Sequence, residues 1–157
     1  MNQPLDHAGF SIKGFKEIAG HDDSRPFECS IYYKGKRVCK AWDDGWGGGG
    51  SFQWLIKNVE KIWNEHIEKL PPWEYGDRKH KYDSDLFLAD IIENHEFLTK
   101  IRRLCKNHIL MRFPEDGFYT YRKINKKIQF TPEIKNKILG ADNIPDGVVF
   151  WNELITQ

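Results

Sequence analysis

Long apolar runs, a cysteine framework and an excess of either charge are all missing from this 157-residue chain. No stretch of about 18 apolar residues occurs, which excludes a transmembrane helix. The three cysteines, Cys29, Cys39 and Cys105, are too few and too odd in number for a disulfide scaffold and fit a reducing compartment. The opening Met1-Asn2-Gln3-Pro4-Leu5-Asp6 has neither the basic start nor the apolar stretch of a signal peptide, so a cytoplasmic protein is expected. Lys and Arg total 24 against 23 Asp and Glu, a formal charge of +1. That balance argues against a protein that coats nucleic acid through net positive charge, while leaving room for a local basic patch.

Signatures of chemistry are also missing. The chain has no H-E-x-x-H, no calcium loop of the D-x-D-x-D-G type and no paired C-x-x-C, so no metal is expected. His66 and His95 fall near apolar helix faces, where a packed boundary histidine is the usual case. A G-x-S-x-G elbow is absent, and Cys39 and Cys105 lie in apolar patterns. No catalytic residue and no cofactor is assigned. An enzyme acting on a host signalling molecule is the weakest reading, with His21, Asp43 and Asp44 as its candidates.

What the chain does have is aromatic content: 10 Phe, 6 Tyr and 6 Trp. Its length suits one core of ordinary size, needing no staple. Residues 8–18 read as a first strand. Phe27, Cys29, Ile31 and Tyr33 alternate with Glu28, Ser30, Tyr32 and Lys34, the period-two mark of a half-buried strand. Lys34-Gly35-Lys36 turns the chain and Arg37 to Trp42 returns it. If those three residues form the loop, Cys29 faces Ala41 and Ile31 faces Cys39. The two sulfurs then sit on diagonal positions roughly 7–8 Å apart, too far for a bridge.

Ser51 is read as the cap of a helix over 52–70, with Leu55, Val59, Ile62, His66 and Leu70 on its apolar face. Pro71-Pro72 ends it, and residues 71–82 read as a linker. A second helix spans about 84–108. Ile109 to Phe113 and Phe118 to Ile124 form a second hairpin, and Ile128 to Phe130 a short strand. Thr131-Pro132-Glu133 starts a short helix that Gly140 closes. Residues 148–155 are apolar but of undetermined type. The expected fold is a single α+β domain over 1–157: antiparallel hairpins packed with two long helices and a short C-terminal helix. Its N-terminal hairpin region covers 8–50, its helical region 51–108, and its C-terminal hairpin and short helix 109–157.

The most unusual stretch is Trp42-Asp43-Asp44-Gly45-Trp46-Gly47-Gly48-Gly49-Gly50. Consecutive glycines cost backbone entropy and pack nothing, so they belong where φ is positive or where another molecule approaches. The large indole faces of Trp42 and Trp46 just before them suit a binding hot spot. Trp42, Asp43, Asp44, Gly45, Trp46, Gly47 and Gly48 are therefore the candidate partner-binding residues. A glycine loop that opens a helix can also cradle phosphate, although no Lys-Ser/Thr pair follows this one. A second surface is basic. Lys100, Arg102, Arg103, Lys106 and Lys123, near Tyr119 and Tyr121, are candidates for phosphate or nucleic-acid contact.

The strand-turn-strand from Phe27 to Trp42, running into Asp44-Gly45-Trp46-Gly47-Gly48, resembles the N-terminal part of small uncharacterised proteins of tailed bacteriophages and prophages. Ile109-Leu110-Met111-Arg112-Phe113 and the Thr131-Pro132-Glu133-Ile134 helix are similar to that group's C-terminal half. Two further glycines lengthen the loop here. The resemblance implies a phage accessory protein, a class that commonly binds host machinery and includes inhibitors of CRISPR and other defences. The partner it implies is a host protein or protein–nucleic-acid complex, such as a CRISPR effector, met in the host cytoplasm. Nucleotide or nucleic-acid binding through the glycine loop or the basic patch is the alternative, and no membrane is involved.

Overall fold

A computed structural model describes residues 3–20 and 23–155. The fold is α+β, built from antiparallel sheets and four helices. Backbone contacts divide the chain into two compact units, one from Leu5 to His95 and the other from Glu96 onward together with Gln3 and Pro4. No described helix is long and apolar enough to cross a membrane.

The first unit contains a four-stranded antiparallel meander, β1 Phe10–Glu17, β2 Phe27–Tyr33, β3 Lys36–Asp43 and β4 Ser51–Trp54. Cys29 pairs with Ala41 and Ile31 with Cys39, as the alternation predicts. The route to that register differs from the expected three-residue loop. Tyr33 pairs with Lys36 across a two-residue turn in which Lys34 and Gly35 both take positive φ, 48° and 82°. That primed geometry matches the twist of a hairpin. One residue of slack then returns as a bulge at Val38, so that Val38 and Cys39 are both buried. All three cysteines are free.

The expected helix over 52–70 begins late. Residues 51–54 are strand β4, whose Phe52 and Trp54 pack against the core while Ser51 and Gln53 face solvent. That short period-two run finds a sheet edge to pair with, and pairing outweighs the helix-like spacing that follows. Helix α1 covers Lys57–Lys69, with Ile56 rather than Ser51 at its N-cap. Its buried residues are Val59, Trp63 and Ile67, whereas Leu55 and Ile62 are exposed. The apolar face is thus rotated toward Trp63. Residues 71–82, expected as a linker, hold a small hairpin of β5 Trp73–Tyr75 and β6 Arg78–His80.

Helix α2, Ser84–Cys105, stands where the sequence places it. Its first part contributes Phe87, Leu88 and Ile91 to the core of the Leu5–His95 unit, against Trp63 and the inner sheet face. The N-terminal segment is stitched to both helices. Asp90 accepts from Leu5 N (3.1 Å) and from His7 Nε2 (2.7 Å), and His66 Nε2 lies 2.6 Å from the Asp6 carbonyl.

The second unit carries a three-stranded sheet in the order β8-β7-β9, from β7 Leu110–Arg112, β8 Arg122–Lys123 and β9 Val149–Phe150. Leu110 faces Ile101 and Trp151 on one side. Ile109, Met111 and Phe150 pack on the other with Ile134 and Ile138 of helix α3, Pro132–Leu139. Thr131 caps α3 through a bond from Ile134 N to its hydroxyl, and Gly140 closes it in a right-handed conformation. Residues 128–130 pack without forming the expected strand. The undetermined segment 148–155 contains β9 and the short helix α4, Trp151–Leu154.

Candidate functional site

The glycine run is the loop between β3 and β4, and it is surface. Its conformation is set by side-chain acceptors at both ends. Asp43 Oδ1 accepts from Gly45 N (2.7 Å) and Asp44 Oδ1 from Trp46 N (3.0 Å), two successive Asx turns. At the far end Gly50 N donates to Asp85 Oδ1 (3.0 Å) in the first turn of α2. Between these anchors Trp46 is 75% exposed.

The glycines divide by reason. Gly45, Gly47 and Gly49 have φ between 77° and 81°, a region that side-chain-bearing residues rarely adopt. A Cβ at Gly50 would lie 2.5 Å from Asp85 Oδ1. Gly48 has neither reason: its φ is ordinary and nothing lies within 4 Å of where a Cβ would stand. The loop therefore presents an indole beside open, unhindered backbone, on a frame pinned at both ends. Because strand β4 follows it, the run does not open a helix, and the geometry on which a phosphate cradle was expected is not present.

Trp42 stands apart from the loop proper. It pairs with Ser51 inside the sheet and belongs to the face opposite the core, with Lys40 Nζ 5.9 Å from its ring centroid. Asp43 and Asp44, the candidate acids of an enzyme reading, are engaged by loop N–H groups. His21 lies outside the described residues. Among the described residues no group of three or more His, Cys, Asp or Glu could hold a metal ion. His80 stacks on Trp73 at 4.6 Å.

Four of the five basic candidates share a surface. Lys100, Arg102, Arg103 and Lys106 are all exposed, and at 100° per residue the first three fill one arc of α2 opposite buried Ile101, with Lys106 just past the helix end. Lys123 is exposed on the edge strand β8, paired with Leu110, whose side chain faces Ile101, so it belongs to the sheet and not to the arc opposite Ile101. Lys100 Nζ lies 5.2 Å above the Tyr121 ring. Beside Arg102 and Lys106 lies an open cavity of about 410 Å³, which Gln129, Phe130 and Glu153 also line. Arg122 is not part of this surface. It binds Asp116 through Nε (2.9 Å) and Nη2 (2.8 Å) and covers Phe113 at 4.0 Å, and its hydrogen bonds pull the Asp116 carboxyl down to about 2.

Burial raises the thiols of Cys29 and Cys105 to about 11 and that of Cys39 to about 12. The thiolate is the nucleophile, so at neutral pH each is held in its inert form. Native protein at pH 7.5 should react with iodoacetamide at all three cysteines at least about a hundredfold more slowly than urea-unfolded protein. A thiol that labels natively at the unfolded rate would place it in a different environment.

Two features escape a reading of the sequence. Asp85 anchors the loop from 35 residues away, with no local pattern to announce it. Tyr75, 75% exposed, sits at the β5–β6 turn inside what reads as a linker. No protein-family model, curated protein or solved structure matches this chain.

Proposed function

We propose that this chain is a small phage-type accessory binding protein that docks on a host factor and inhibits it, as an anti-CRISPR or other anti-defence protein does. The observation that carries the reading is Trp46: a largely exposed indole on a loop whose ends are fixed by Asp43, Asp44 and Asp85. Indoles are among the residues that dominate interface energies, and a pre-ordered loop loses little entropy on docking. The phage resemblance supplies the class of partner, a host protein or a protein–nucleic-acid complex such as a CRISPR effector.

Affinity purification of the tagged protein from host lysate should recover one stoichiometric partner. Trp46→Ala should then weaken that complex by roughly 30-fold or more, the effect of losing a hot-spot residue. Recovery of the same partner at unchanged affinity by Trp46→Ala would sink the loop as the docking element. A second reading, nucleotide or nucleic-acid binding, is favoured by the basic arc of α2.

A further inference from the structure

The outer face of the four-stranded sheet carries a pattern that neither the loop nor the α2 arc includes. The strand registers align its residues in three rows across the sheet. One row is Ser11, Tyr32 and Arg37. The next is Lys13, Ser30, Lys40 and Gln53. The third is Lys16, Glu28, Trp42 and Ser51. Every other sheet aromatic, from Phe10 and Tyr33 to Phe52 and Trp54, packs with the core, whereas Tyr32 and Trp42 join no apolar cluster.

The two rings stand on the two central strands, four β2 positions apart along the sheet, or roughly 13 Å. Between them runs the row with two lysines. Lys13 Nζ sits 4.7 Å from the Tyr32 centroid and Lys40 Nζ 5.9 Å from that of Trp42. Four cations, Lys13, Lys16, Arg37 and Lys40, share the face with one carboxylate, Glu28, in a protein whose whole charge is +1. Ring, cation row, ring is the order that an extended single strand of nucleic acid needs. Bases stack on the rings and phosphates cross the lysines, which swing off the rings to meet them.

We infer that this outer sheet face is a binding platform for single-stranded RNA, with Tyr32 and Trp42 as the stacking groups. A duplex has no unstacked base to offer the rings. Ribose is favoured over deoxyribose because Ser30 stands between the two lysines and Ser11, Ser51 and Gln53 end the rows beside Tyr32, Trp42 and Lys40. Their hydroxyl and amide groups can exchange hydrogen bonds with a 2′-OH. The inference does not rest on docking by the loop, since Trp46 and the glycines contribute nothing to this face.

The test uses the full chain and a fluorescein-labelled 12-nucleotide uridine-rich RNA, read by anisotropy at 50 and 200 mM salt. Binding should weaken with salt, and Lys13→Ala with Lys40→Ala should flatten that dependence by about one unit of slope per lost phosphate contact. Tyr32→Ala and Trp42→Ala should each weaken binding by about 5- to 100-fold, while Tyr32→Phe and Trp42→Phe retain most of it. Both positions point away from the core, and matching circular-dichroism melts keep a folding defect distinguishable from a lost contact. Lys137→Ala, exposed on α3, should leave the affinity unchanged. Absence of binding at 50 mM salt overturns the inference. So does loss on Lys100→Ala/Arg103→Ala with Tyr32→Ala and Trp42→Ala silent, which moves the contact to α2. DNA of the same sequence bound equally well would overturn the assignment to RNA.

Discussion

Replacing Trp63 with alanine is expected to cost about 3–5 kcal/mol, the range for removing a large buried ring. A single domain typically holds only about 5–15 kcal/mol in reserve, so a large share of stability goes with it. Trp63 is fully buried. Its ring meets Phe87 at 4.7 Å, Phe10 at 4.9 Å and Trp54 at 5.6 Å, all at steep angles. It thus touches α2, β1 and β4 from α1, joining the layers at one point. Its indole Nε1 also donates to Ser84 Oγ at the start of α2 (3.0 Å). Trp63→Phe keeps a ring but loses the bond and part of the volume, and should cost roughly half as much. Urea unfolding of the full chain followed by circular dichroism measures both. With a slope near 2 kcal/mol/M, the alanine variant should shift the midpoint by about 2 M. A shift smaller than about 0.5 M would mean that the core does not hinge on this ring.

What the sequence discloses of this fold is its local periodicity, and where periodicity is long it suffices. The alternation from Phe27 to Tyr33 places β2 and aligns Cys29 with Ala41. The 22 residues of α2 and the Thr131-Pro132 start of α3 are equally plain. Short elements escape for the same reason. Four residues of alternation at Ser51–Trp54 cannot compete with an apparent helical repeat beside them until the edge of β3 offers hydrogen bonds. Three-residue strands such as Trp73–Tyr75 and Arg78–His80, rich in charge, carry no periodic signal at all.

The candidate sites show the same divide between local and distant. The glycine run and its indoles are visible at a glance, but adjacency alone groups Trp42 with Trp46. Pairing with Ser51 puts Trp42 in the sheet, on a face shared with Tyr32, ten residues earlier. Three strand registers have to be combined before the rows of that face emerge. Asp85, Asp90 and Asn152 act across 35 to 85 residues, and the order of the chain gives no sign of whom they will meet.

Asn152 makes the second large prediction, because it is the one buried polar or charged residue among those described, at 7% exposure. Its Oδ1 accepts from Leu110 N (2.9 Å), and its Nδ2 donates to His108 O (2.9 Å) and, at 3.5 Å, to Cys105 O. One amide thereby satisfies a strand N–H, the last carbonyl of α2 and a carbonyl three residues beyond its end. Asn152→Ala strands those groups without water, at about 1–3 kcal/mol each, so a loss of about 3 kcal/mol or more is expected. Asn152→Asp is the sharper experiment. It conserves shape and the bond from Leu110 N, but replaces the donor with a carboxylate oxygen that faces two carbonyl oxygens, burying a charge among them. The folded state then favours the protonated acid, which can donate to His108 O as the amide did, so the variant's carboxyl is raised above the ordinary range. The stability recovered by protonation is present at low pH and lost as pH rises. Thermal melts of Asn152→Asp against the parent should therefore show a deficit that is large at pH 7 and smaller at pH 4. A deficit of equal size at both pH values would mean that the side chain is not held between those carbonyls.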